Sequence, residues 1–144
     1  MTKFKYRFAT IKGVKQKFEK KAQRELAVID LEINKKQQRI MQLKEIIKQN
    51  KENKIAEKHK KTDELHFYEK YECYLNEQLK ICQDFIIKKA KQRENKLKEL
   101  VKKSQETKTF EKLEEKHLAD FLKDQDKLDQ KEMDEFAVNE FSRD

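Results

Sequence analysis

With 44% of its 144 residues charged and 35% hydrophobic, the chain is too polar to fill a globular core. One glycine and no proline remove most of the turn vocabulary that compact folds need. The net charge of +8 is unevenly placed: residues 1–60 hold 18 Lys/Arg against 7 Asp/Glu, and residues 111–144 hold 6 against 12. A basic body with an acidic C-terminal end suggests two partners of different charge. Such charge alone would allow disorder, but sustained apolar periodicity argues for a coiled coil, in which each helix buries only one stripe.

The first element, about residues 3–55, carries Phe4, Phe8, Ile11, Phe18, Ala22, Leu26, Ile29, Ile33, Ile40, Leu43 and Ile47. The steps are threes, fours and their sums, the mark of an amphipathic helix. Phe18-Ala22-Leu26 reads as a stutter, a local relaxation of the supercoil. Gly13 weakens the helix without ending it.

The stripe then thins, and the reversal is expected between about residues 50 and 62, with Thr62 or Asp63 capping the next helix. The second element, about residues 63–141, repeats the pattern at Leu65, Tyr68, Leu75, Leu79, Cys82, Ile86, Ala90, Leu97, Leu100, Leu118, Phe121 and Leu128, with a second stutter at Cys82-Ile86-Ala90. The fold expected is all-α: one domain, an antiparallel two-helix coiled-coil hairpin with a longer C-terminal helix. The competing topology is a continuous helix forming a parallel dimer.

Unequal lengths have a consequence. Two helices rising 1.5 Å per residue would bring Phe4 near residue 114, leaving residues from about His117 to Phe141 without an intrachain partner. That stretch carries Leu118, Phe121, Leu122, Leu128, Met133, Phe136 and Phe141, an apolar surplus that reads as a binding surface. Phe67, Tyr71, Tyr74 and Gln78 form a second surplus stripe beside the seam, of the aromatic kind that anchors protein interfaces.

Chemistry-bearing motifs are missing. A single glycine excludes any phosphate loop or nucleophile elbow needing two. His59, His66 and His117 are scattered and expected in solvent, so no metal site is expected. Asp124, Asp126 and Asp129 match a calcium loop in composition only. Cys73 and Cys82 lie on opposite helix faces and cannot pair; Cys82 falls on the seam, as a small hydrophobe in a reducing cytoplasm. No stretch reads as a signal peptide or a membrane span. An enzyme, a cofactor and a small-molecule substrate are therefore not expected. Nucleic-acid binding is disfavoured, because 31 of the 36 basic residues are lysine and many stand beside glutamate, as in Glu19-Lys20.

Two terminal runs carry a resemblance. Lys108-Thr-Phe-Glu-Lys-Leu-Glu-Glu-Lys-His-Leu118 with Asp129-Gln-Lys-Glu-Met-Asp-Glu-Phe-Ala137 resembles the signature of the FliJ family of the flagellar type III export apparatus. Phe4-Lys-Tyr-Arg-Phe8, continued by Ala22-Gln-Arg-Glu-Leu26, is similar to that family's N-terminal segment. The resemblance implies a cytoplasmic, membrane-peripheral protein similar to the central stalk of rotary ATPases. Its implied partners are the hexameric export ATPase (FliI-like), the cytoplasmic domain of the export gate (FlhA-like) and export chaperones. The ring surface would then be Phe4, Phe8, Leu118, Phe121, Leu128, Met133, Asp134, Phe136 and Phe141, with Asp120, Asp124, Asp129 and Glu135 suiting a basic pore. The gate surface would be Phe67, Tyr71, Tyr74, Leu75, Gln78 and Cys82, although Gln78 and Cys82 depart from the family's residue types. The alternatives are the equivalent stalk of a virulence secretion system and a generic scaffolding coiled coil.

Overall fold

The computed structural model describes residues 2–56 and 61–143. Two helices account for nearly all of them: α1 (Ala9–Ala56) and α2 (Thr62–Arg143). They pack against each other antiparallel, early residues of α1 against late residues of α2, in an all-α helical hairpin. The expected reversal falls largely on residues 57–60, outside the described residues, as does His59. At the start of α2 the capping position is Lys61, whose carbonyl accepts from the N–H groups of Glu64 (3.0 Å) and Leu65 (3.3 Å). Thr62 and Asp63 therefore lie inside the first turn, where Asp63 and Glu64 complement the helix dipole.

Packing divides the chain into two units, the first made of residues 1–21 and 101–144 and the second of residues 22–100. In the second, a continuous line of half-buried and buried positions on α1 runs Ala22, Leu26, Ile29, Ile33, Lys36, Ile40, Leu43, Ile47, Asn50 and Lys54, flanked by the half-buried Glu25, Asp30, Glu32 and Ile46. The facing line on α2 runs Tyr68, Glu72, Leu75, Leu79, Cys82, Ile86, Lys89, Arg93, Lys96 and Leu100, flanked by the half-buried Gln78 and Phe85. Steps of three and four alternate without interruption, the seam of a left-handed coiled coil.

The expected stutter at Cys82-Ile86-Ala90 is absent. Ala90 is exposed and the seam passes through Lys89 instead. Lysine and arginine stems can lie along a seam while their charged heads reach its edge. Lys89 pairs with Glu32 at 2.7 Å, Arg93 with Asp30, and Lys96 with Glu25. The hydrogen bonds that the Lys96 ammonium donates to Glu25 and Glu99 hold it above the usual lysine range. Lys36 and Lys89 both stand over the Phe85 ring, at 5.0 and 5.6 Å.

The apolar core of this unit is Leu43, Leu75 and Cys82, with Ile40, Ile46, Ile47 and Leu79 packed against it. Asn50 is buried beside it and donates to the Tyr68 carbonyl at 3.3 Å. A buried, bonded polar side chain in a seam disfavours shifted registers, where it would lose its partner.

The other unit starts differently from expectation. Residues 2–6 are not helical, and α1 begins at Ala9 rather than at about residue 3. Exposure alternates along Thr2-Lys-Phe-Lys-Tyr-Arg-Phe8: Phe4, Tyr6 and Phe8 are half-buried, while Lys3, Lys5 and Arg7 are exposed. A period of two belongs to an extended chain, not a helix. The Phe18 stutter is also missing, since Phe18 is largely exposed and Glu19 takes the more buried position.

Candidate functional site

The extended segment lies along α2 and holds to it ring by ring. Phe4 meets Phe121 at 5.5 Å between centroids, Tyr6 meets His117 at 5.7 Å, and Phe8 meets Phe110 at 6.4 Å and His117 at 6.1 Å. The Tyr6 hydroxyl donates to the Phe110 carbonyl at 2.8 Å, and the Gln125 amide donates to the Thr2 hydroxyl at 2.9 Å. Partial desolvation, then the Glu114 carboxylate, raises the Tyr6 phenol above its usual range. Lys12 is bonded to Glu114 and is also held above the ordinary lysine value, by that bond first. Behind them Lys15 pairs with Glu106 at 3.1 Å, and the buried Thr107 hydroxyl donates to the Lys103 carbonyl.

An extended residue advances about 3.3 Å against 1.5 Å in a helix. Phe4 therefore reaches Phe121, well past the residue-114 neighbourhood that helical spacing implies. Cover accordingly extends to Gln125, and the uncovered stretch begins at Asp126 rather than near His117. Of the residues assigned by resemblance to the ring surface, Phe4, Phe8 and Phe121 are engaged with each other or with neighbouring rings. Leu118 and Leu122 are partly open. His117, expected in solvent, is flanked by two rings.

From Asp126 to Arg143 every described residue is exposed. Met133 is 72% exposed, Phe136 70% and Phe141 85%, with Leu128 and Val138 also open. Asp129, Glu132 and Glu140 fall at helical spacings of three and four from Met133, Phe136 or Ala137. This face is apolar and acidic together, which suits a groove lined with apolar and basic groups. Asp134 lies at its margin, and Glu135 faces away from it on the side of Lys131 and Val138.

In the other unit the second surface separates into two sets. Leu75 (2% exposed) and Cys82 (6%) are in the core and offer nothing to a partner. Phe67, Tyr71 and Tyr74 are exposed, Gln78 is half-buried, and Tyr71 and Tyr74 stack with their rings 16° apart. Ile81 and Phe85 extend the stripe at the same alternating steps, beyond the residues expected in it. Among the described residues no three His, Cys, Asp or Glu side chains gather as a metal site, and no helix is long and apolar enough to cross a membrane.

These features define a helical-hairpin protein with open aromatic and aliphatic side chains on its helix surfaces. The family model described as "Flagellar FliJ protein" matches residues 4–144. The Flagellar FliJ protein of Bacillus subtilis (strain 168) is 31% identical over 101 residues, 70% of this chain and 68% of that relative. No solved structure matches the chain. The chain belongs to the FliJ family and is a component of the flagellar export apparatus.

Proposed function

We propose that the chain acts as a central-stalk-like coiled coil: its α2 tip binds the hexameric export ATPase, its aromatic stripe contacts the export gate, and it escorts export chaperones. The observation that carries this reading is the uncovered apolar–acidic face of residues 126–143. A lone helix displaying Met133, Phe136 and Phe141 to water keeps its apolar area available for a partner. The ring contact is therefore Leu128, Met133, Asp134, Phe136 and Phe141, with Leu118 at its near margin. Phe4, Phe8 and Phe121 support the tip from within rather than touching the ring.

The gate contact is Phe67, Tyr71, Tyr74 and Gln78, with Leu75 and Cys82 as the core beneath. In this role the chain has no catalytic residue, ATP hydrolysis belonging to the ring. It works at the flagellar base, peripheral to the inner membrane. The test is purified export ATPase titrated with this chain. Hydrolysis rises with the wild type, and Phe136→Asp abolishes the rise while leaving helicity and melting temperature unchanged. Undiminished stimulation by Phe136→Asp refutes docking through the tip.

A further inference from the structure

We propose that residues 2–8 are a releasable cover over a peptide-binding face of α2, and that this face takes an extended partner segment with aromatic side chains at every second residue. The bound ligand is already on display: the chain's own N-terminal segment is seated there as such a peptide would be. Phe4 and Tyr6 sit on Phe121 and His117, and Phe8 lies against Phe110. The match is one of register. Two extended residues advance about 6.6 Å and four helical residues about 6 Å, so Phe4 and Tyr6 meet Phe121 and His117, four apart on the helix, while Phe8, where the chain turns into α1, lies between His117 and Phe110.

The way the cover is held makes it releasable. Among the described residues, no backbone–backbone hydrogen bond joins residues 2–5 to α2. What holds them is ring contact, the Tyr6 hydroxyl bond and the Thr2–Gln125 bond. A segment attached through side chains alone belongs to the low-stability end of a structure and opens without disturbing the helices. Lys3 and Lys5 have no partner among the described residues, and Arg7 stands over the Phe8 ring. The outward cations contribute little to seating and leave the aromatic positions to set specificity. A competing segment must overcome a tethered rival at an effective concentration on the order of millimolar, so the cover acts as a gate. The inference does not depend on what the tip or the aromatic stripe binds.

The probe is a fluorescent peptide with the sequence of residues 2–8, monitored by anisotropy against the full chain. Three forms are compared: wild type, Phe4→Ser with Tyr6→Ser, and that pair combined with Phe121→Ala. Trypsin cleavage after Arg7 reports whether the segment has lifted, and circular dichroism reports the helices. Expected results are faster cleavage at Arg7 in the double variant, unchanged helicity, and peptide affinity at least tenfold above wild type. Adding Phe121→Ala removes most of that gain. Equal peptide binding by all three forms overturns the proposal, as does absent binding by a double variant whose Arg7 is readily cut. Unchanged cleavage in the double variant shows that the rings do not seat the segment. Loss of helicity shows that the segment is part of the fold rather than a cover, and either result overturns the proposal as well.

Discussion

The stretch around Leu43 and the stretch around Phe136 use the same device, large apolar side chains repeated within one or two turns of a helix, with opposite outcomes. Leu43 and Leu75 are almost fully withdrawn from water, whereas Phe136 and Phe141 stand open. The sequence pattern is shared; what differs is whether a facing segment exists at that level. Apolar spacing thus states that a surface needs covering, and only the reach of the opposing chain decides who covers it. Stability and recognition are in this way assigned to different residues.

Single substitutions test that division. Leu43→Ala removes packing from the core and should cost about 2–5 kcal/mol, a fall in melting temperature on the order of 10 °C by calorimetry. Phe136→Asp should leave the melt unchanged while erasing ATPase stimulation. On the aromatic stripe, Phe67→Asp with Tyr71→Asp should weaken capture of the gate's cytoplasmic domain roughly tenfold, about 1.4 kcal/mol. It should spare ATPase stimulation, and equal loss of both would mean that these residues support the fold.

A smaller gain is expected at Gly13, where an added Cβ meets nothing within 4 Å and the backbone is helical with no positive φ. Gly13→Ala should stabilise by about 0.5–1 kcal/mol in a denaturant titration. The mildest effect concerns alkaline pH. Lys12, Lys96 and Tyr6 all have raised values in the folded chain. A raised folded value means that the stabilisation is complete below the unfolded value, near 10.0 for tyrosine and 10.5 for lysine, and is lost as pH climbs through the folded one. The melting temperature should therefore decline above about pH 10, and a Lys12→Gln, Lys96→Gln chain should decline less over the same range.

Much of the fold is legible from residues alone. The hairpin is implied by apolar steps with almost no turn residues, and spacing puts Cys82 on the seam. Unequal helix lengths imply the bare tip, although not its starting point. Counting only Phe4 and Phe8 gives a helical step of four and hides the alternation with Tyr6, Lys3, Lys5 and Arg7, which marks an extended segment. The stutters have a similar origin: scanning for apolar residues skips Lys89 and lands on Ala90, although a lysine stem serves the seam at Lys89. Family likeness carries Leu75 and Cys82 to the gate surface, while their own spacing already places them in the core.

The cationic run at Lys89, Arg93 and Lys96 has a consequence for how the seam responds to its solvent. Their stems lie along the seam beside Ile29 and Ile33, and their heads rest on Glu32, Asp30 and Glu25 of the facing helix. Added salt screens such edge pairs and leaves apolar packing intact. Ionic strength therefore loosens this stretch of the hairpin and spares the one built on Leu43 and Leu75.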